Sequence, residues 1–356
     1  MDAAKYIRPN VHAIKGYHLE KYTCDVKLDQ NENPFDLPED IKDRILSRIK
    51  TVEWGRYPDY SSESLTAKIA SFAGMKTDEV LVGHGSNSLI LSTLLSTISA
   101  GDGVVLTSPS FSLYQVFNQI LSAQIKTVDL DPNNFSAPME QLCDVVGGKD
   151  VKMTILCSPN NPTGSAFSIE QIENILVDAS GLVLVDEAYQ EFYQQNLTSL
   201  LPKYENLVIL RTFSKALSMA GFRVGYLIAR KELIASIKKA CVPYNINISA
   251  QIAVDEILNY PELINERVQT IIRERDRLWT ILKKISSVKV YPSKANFFLV
   301  RTPDGKKVFN HFLNAGVLVR DVSGYPGLEN CIRFNVGTPE ENELIVDALN
   351  KLDEIL

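Results

Sequence analysis

A lysine and an arginine stand eight positions apart in LRTFSKALSMAGFRVGY, residues 210–226, a stretch otherwise dense in hydroxyls and small residues. Lys215 lies just past the apolar run LVILRT and is flanked by Thr212, Ser214 and, further on, Arg223. Hydroxyls and a guanidinium at this spacing suit a phosphate dianion, because each donates to its oxygens and the guanidinium adds charge. An amine beside a second cation has its pKa pulled down, which a lysine needs in order to form a Schiff base near neutral pH. Taken alone, Lys215 reads as a solvated surface charge. Its meaning depends on what shares its surroundings.

Three other segments carry polar groups behind apolar runs. GLVLVDEAY sets Asp186 where an ionised carboxylate must find a partner or carry a heavy burial cost. One candidate partner is magnesium held as in a Walker B strand, but no G-x-x-x-x-G-K-[ST] occurs; another is a cationic ring nitrogen. Tyr189, three residues on, could aim its phenol at the same ligand. MTILCSPNNPTG puts Asn161 after another apolar run, either as a partner for a ligand oxygen or as part of a strong turn sequence. EVLVG runs into HGSNS, where the amides of Gly85, Ser86 and Asn87 would face an anion at a helix N-terminus or simply turn the chain. Together these supply a phosphate cradle (Gly85, Ser86, Thr212, Ser214, Arg223), an amide and a phenol (Asn161, Tyr189), a carboxylate (Asp186) and an amine (Lys215). Pyridoxal 5′-phosphate needs this inventory: a lysine for the Schiff base and an aspartate for the pyridinium nitrogen.

For these groups to meet, the runs that precede them must be neighbouring strands. Apolar runs at 79–83, 103–108, 125–130, 151–158, 182–188, 207–212 and 223–229 alternate with helical patterns such as SNSLILSTLLSTIS and SIEQIENILVDA, the latter opened by the capping box Ser168 and Gln171. Apolar strands separated by helices predict an α/β fold with a mostly parallel sheet covered on both faces. In such a sheet ligands bind beyond the carboxyl ends of the strands, where the polar residues above all fall. After about residue 230 a long charged helical region is expected from roughly 248 to 285. Short strands (VKVY, NFFLV, GVLVR, CIRFNV) and a last helix capped by Thr338, Pro339 and Glu341 follow, as in a smaller α+β domain. The expected division is an N-terminal arm, 1–34, packing with the small domain, a large cofactor-binding domain, 35–245, and a small domain, 246–356.

The 356 residues are 45% hydrophobic with a formal net charge of −6 and no block of like charge, so neither nucleic acid nor an anionic membrane is an expected partner; a small molecule is. The five cysteines (Cys24, Cys143, Cys157, Cys241, Cys331) never form a C-x-x-C pair, which argues against a disulfide framework and a metal site and for a reducing, cytoplasmic setting. No apolar run reaches membrane-spanning length.

The ordered set NPTG, DEAY, SKALSMAGFRVG and IRFNVGT resembles the fold-type-I pyridoxal-phosphate aminotransferases, the aspartate aminotransferase superfamily. LDQNENPFDLP, RYPDYSSESL, GHGSNS, VLVRD and IRFNVGTPEEN are more closely similar to the histidinol-phosphate aminotransferase family, over nearly the whole chain. The resemblance implies transamination between histidinol phosphate and 2-oxoglutarate, with Lys215 as the covalent anchor and proton shuttle. It implies Asp186 at the ring nitrogen, Asn161 and Tyr189 at the ring hydroxyl and Phe111 over the ring face. It further implies a homodimer in which Tyr57 reaches the neighbouring cofactor's phosphate, a substrate-carboxylate clamp at Arg333, and a substrate-phosphate binder at Arg320 helped by Tyr17. Three departures stand out: Ser88 where an acidic residue is common, Phe111 where a tyrosine often stacks, and RFNVGT in place of a more apolar arginine motif. Competing activities on the same fold are an aromatic aminotransferase and a threonine-phosphate decarboxylase.

Overall fold

A computed structural model describes residues 3–14, 16 and 20–352. In chain order its strands are β1 (Val26–Lys27), β2 (Val80–Gly83), β3 (Gly103–Ser108), β4 (Gln124–Asp129), β5 (Val151–Cys157), β6 (Leu182–Asp186), β7 (Leu207–Thr212) and β8 (Gly225–Ala229). They continue with β9 (Lys289–Val290), β10 (Phe297–Arg301), β11 (Val317–Leu318), β12 (Arg320–Asp321) and β13 (Cys331–Asn335). Seven of them form one sheet in the order β2-β8-β7-β6-β5-β3-β4, in which only β8 runs against its neighbours. This is the mostly parallel sheet the apolar runs predict.

The central strands are buried on both faces, and their period of two divides them between two helical layers. Val183, Val185 and Ile209 pack with Ile172 and Ile175 on one side, whereas Leu184, Val208 and Leu210 pack with Leu89, Ile90 and Leu94 on the other. Edge strand β4 is the exception to the apolar pattern, with most of its side chains wholly or partly exposed. Ser168 and Thr338 both close reciprocal capping boxes, with Gln171 and Glu341.

Two sequence expectations are corrected. The helical region from 248 to 285 is two helices, Ile248–Ile257 and Pro261–Leu282, because Pro261 at the first helical position cannot continue the preceding helix and starts a new one. GVLVR is not one strand: Val317–Leu318 pairs in parallel with β1, while Arg320–Asp321 joins the antiparallel sheet β12-β13-β10-β9. The two-residue strand β1, too short to leave a periodic signal, was not foreseen; it ties the N-terminal segment to this second sheet region. Among the described residues no helix is long and apolar enough to cross a membrane.

Because the strands of the large sheet other than β8 run in one direction, Gly83, Ser108, Cys157, Asp186 and Thr212 end along one rim, and the antiparallel β8 begins there at Gly225. Gly225 lets the rim close: a Cβ on it would stand 2.7 Å from the Ser86 amide nitrogen and 3.0 Å from the Arg211 carbonyl oxygen. These are backbone atoms and cannot swing aside. Gly225→Ala is therefore expected to lower stability by about 1–3 kcal/mol through overpacking, read in urea denaturation as a lower midpoint with an unchanged slope.

Candidate functional site

Above this rim lies a cavity of about 480 Å³, closed on its far side by β12 and β13. Of the residues singled out from the sequence, Ser86, Asn87, Phe111, Asn161, Asp186, Tyr189, Thr212, Ser214, Lys215, Arg223, Arg320 and Arg333 line it. Gly85 is not in the lining but lies directly behind it, with φ +72°, a conformation that disfavours any side chain, and a Cβ there would come within 2.8 Å of Arg223 Nη2. Tyr57 is not brought into the cavity; it is 82% exposed and stacks on Tyr244 with ring centroids 4.7 Å apart. Tyr17 lies outside the described residues.

Asp186, buried at the end of β6, has both oxygens occupied. The Tyr114 hydroxyl donates to Oδ2 at 2.6 Å and the Ala188 amide donates to Oδ1 at 3.0 Å. Burial pushes its carboxyl up to about 6, against the pull of these two donors and of the Lys215 charge. Tyr114 was missed from the sequence. It closes SPSFSLY three residues after Phe111, so one helical turn sets both rings on one face, and the two meet edge to face at 5.5 Å.

Lys215 sits in the link between β7 and β8, its amine donating to the Gln30 carbonyl at 2.8 Å and lying 5.9 Å from the centre of the Tyr189 ring. Burial first, and the Arg333 charge next, pull the amine down to about 8, opposed by Glu32. This is the depression the sequence suggested, with the larger share from burial rather than from Arg223. Tyr189 accepts from Asn31 Nδ2 at 2.9 Å, and burial raises its phenol. The NNPTG segment is both things it could be. Asn160 is the turn residue, bonded to Pro109, Thr163 and Ser110, while Asn161 faces the cavity and accepts through Oδ1 from Arg333 Nη1.

At the opposite end of the cavity, Arg223 donates to Ser214 Oγ at 3.3 Å, and Thr212 Oγ1 accepts from the Ser214 amide at 3.1 Å. The helix Gly85–Thr97 begins here with no side-chain cap, so first-turn amides remain for an anion in front of the helix dipole. Ser88, one of the departures, turns back and donates to the Gly85 carbonyl at 3.1 Å.

Arg320 and Arg333 are direct cross-strand partners on β12 and β13. Like charges in that relation repel. Arg333 is buried, donates to the Asp29 carbonyl and to Asn161, and its Nε has no partner among the described residues. The Arg320 side chain makes no hydrogen bond or ion pair among the described residues. In all, four cationic side chains line the cavity (Lys215, Arg223, Arg320, Arg333) against three carboxyl groups (Asp29, Glu32, Asp186).

The donor set fits pyridoxal phosphate. An uncapped helix start, two hydroxyls and Arg223 make an anion cradle under a glycine that a Cβ would fill, with an amine, a buried carboxyl group and an amide–phenol pair across the cavity. Segment 29–33 was missed as part of the site. Its carbonyls at Asp29 and Gln30 accept from Arg333 and Lys215, its Asn31 side chain reaches Tyr189, and Asn33 donates to the Ala216 carbonyl at 2.9 Å. LDQNENP carried the resemblance, but main-chain acceptors have no side-chain signature.

Comparison with known proteins agrees with this geometry. The aminotransferase class I and II family profile matches residues 24–349. A histidinol-phosphate aminotransferase of Chlorobaculum tepidum is 39% identical over 97% of this chain and 100% of its own length. The crystal structure of the histidinol-phosphate aminotransferase from Clostridium acetobutylicum superposes with a TM-score of 0.84 at 27% identity, covering 93% of this chain and 100% of that one. That of Sinorhizobium meliloti, in complex with pyridoxal-5′-phosphate, shares the fold with a TM-score of 0.85 at 21% identity over 97% of each chain. With its mostly parallel sheet, its site at the strand ends and these full-length matches, the chain belongs to the class I and II aminotransferases and, within them, to the histidinol-phosphate aminotransferase family.

Proposed function

We propose that this chain moves the amino group of histidinol phosphate to 2-oxoglutarate, giving imidazole acetol phosphate and glutamate. The observation that carries the substrate choice is the pair of guanidiniums set side by side at the cavity wall, Arg320 opposite Arg333. Two unneutralised cations in register are costly unless anionic ligands meet them. In this reading Arg333, whose buried Nε has no partner among the described residues, takes the α-carboxylate of glutamate by its fork, and Arg320 takes the phosphate of histidinol phosphate. The full-length relatives named for the same activity support it.

When bound, pyridoxal phosphate supplies the electron sink that lets the substrate α-carbon release its proton. Lys215 removes and returns that proton, its amine held near 8 by burial and by Arg333 so that the neutral base is available close to neutrality. Asp186 holds a proton at the ring nitrogen and is itself held by Tyr114 and the Ala188 amide. Arg333 occupies Asn161 Oδ1, which leaves the Asn161 amide nitrogen to donate, with Tyr189, to the ring oxygen. The first-turn amides at Ser86 and Asn87, Thr212, Ser214 and Arg223 take the phosphate; Phe111 covers the ring. The exposed Tyr57 reaches the partner's phosphate across a homodimer, beside an arm, a large domain and a small domain divided near residues 35 and 246.

Four outcomes are expected. With 2-oxoglutarate as acceptor, glutamate should form from histidinol phosphate far faster than from phenylalanine, and O-phosphothreonine should release no carbon dioxide. Arg320→Ala should weaken histidinol phosphate by about 2–5 kcal/mol while glutamate binding changes little; equal losses on both would remove the phosphate role. For the dimer, Tyr57→Ala and Lys215→Ala proteins, each inactive or nearly so, should recover part of the activity when unfolded together and refolded as hybrids, since one site of each hybrid is then intact. Recovery only of the separate backgrounds would place Tyr57 outside the partner's site. Finally, Tyr114→Phe removes a hydrogen bond to a carboxylate, so the Asp186 carboxyl should titrate roughly 1–2 pH units higher still in the ligand-free protein, measured by infrared difference spectra assigned with Asp186→Asn. The sign follows from linkage: a carboxyl raised by folding contributes stability at low pH that is lost as pH rises through about 6.

A further inference from the structure

Asn31 carries a combination of features that the reaction as described does not use. It is 1% exposed and holds φ at +54°, in the left-handed region, where asparagine and aspartate are the most tolerant residues after glycine. Its backbone is pinned on both sides, the amide donating to Asn335 Oδ1 and the carbonyl accepting from Asn296 Nδ2, each at 3.2 Å. The side chain so fixed reaches the cavity and donates to the Tyr189 hydroxyl. A phenol that already accepts from an amide has its own proton left to give, and an accepted bond makes it a stronger donor.

We infer that Asn31 is a positioning residue that sets the direction of the Tyr189 hydrogen bond, committing the phenol to donate to the cofactor's ring oxygen. This rests on the assignment of Tyr189 to that oxygen. The strained backbone is then the means by which segment 29–33, tied to β13 and to Asn296 just before β10, orients a group just past the end of β6.

The test uses the loaded protein and the pH midpoint of its visible absorption band, which reports the proton on the Lys215 nitrogen joined to the cofactor. A donor to the ring oxygen favours that oxygen's anionic form and eases the proton from the nitrogen, so losing the donor raises the midpoint. Tyr189→Phe should raise it by roughly 1–2 pH units, the worth of one hydrogen bond to a charged group. Asn31→Asp, which tolerates the same backbone but offers only acceptors, should turn the phenol toward itself and raise the midpoint as well. The double variant should fall short of the sum. The neutral Asn31→Gly, relaxed at this φ, should move the midpoint the same way in the wild-type background and leave it unmoved in Tyr189→Phe. Additive shifts, or no shift from either Asn31 variant while Tyr189→Phe moves the band, would overturn the positioning role alone. An unmoved midpoint in Tyr189→Phe would remove the Tyr189 assignment and the inference with it.

Discussion

A carboxyl group at the end of a buried strand is the constraint around which this molecule is arranged. Asp186 is sealed among apolar neighbours of the central sheet, where its charge is held by a phenol, a main-chain amide and an amine across the cavity. Each of those partners comes from a different element. Tyr114 is on the helix after β3, Ala188 follows β6 itself, and Lys215 lies between β7 and β8. Keeping an ionisable aspartate in that place requires the parallel strands to end level with one another, and the same alignment brings Ser86, Thr212, Ser214 and Arg223 together at the rim.

The charge balance of the cavity extends this logic. Burial acts on the two central groups in opposite directions, raising Asp186 and lowering Lys215, so both come within reach of neutral pH. Around them, among the described residues that line the cavity, four cationic side chains outnumber three carboxyl groups. Arg320 and Arg333 face the same space from adjacent strands, and Arg223 closes the other end. A cavity with cations at both ends and a titratable pair between them is matched to a phosphorylated cofactor and an anionic substrate. It is poorly matched to a neutral one.

The N-terminal segment completes the arrangement from outside the large sheet. By pairing through β1 with β11 and donating or accepting at Asn31, Gln30 and Asp29, it links the second sheet to the amine, the phenol and the buried guanidinium at once. The short strand split of GVLVR serves the same end. Val317 and Leu318 anchor this segment while Arg320, two residues on, is freed to face the cavity.

Much of this was legible in the sequence because it depends on local chemistry. Strands such as LVILRT announce themselves by unbroken apolar runs, the boxes at Ser168 and Thr338 by residue spacing, and Lys215, Asp186 and Asn161 by polar residue types placed shortly after those runs. What the sequence left open has a common physical cause: it turns on contacts between residues far apart in the chain. Tyr114 could be recognised as the partner of Asp186 only once β3 and β6 lay in one sheet. Gln30 contributes a carbonyl that every residue possesses, Asn31 a backbone angle that no residue type spells out, and the opposition of Arg320 to Arg333 a register between two short strands. The sequence by itself determined which groups are present and which elements end in them. Tertiary structure alone decided which of them face one another, because burial, register and the direction of a hydrogen bond exist only after the strands have been brought side by side.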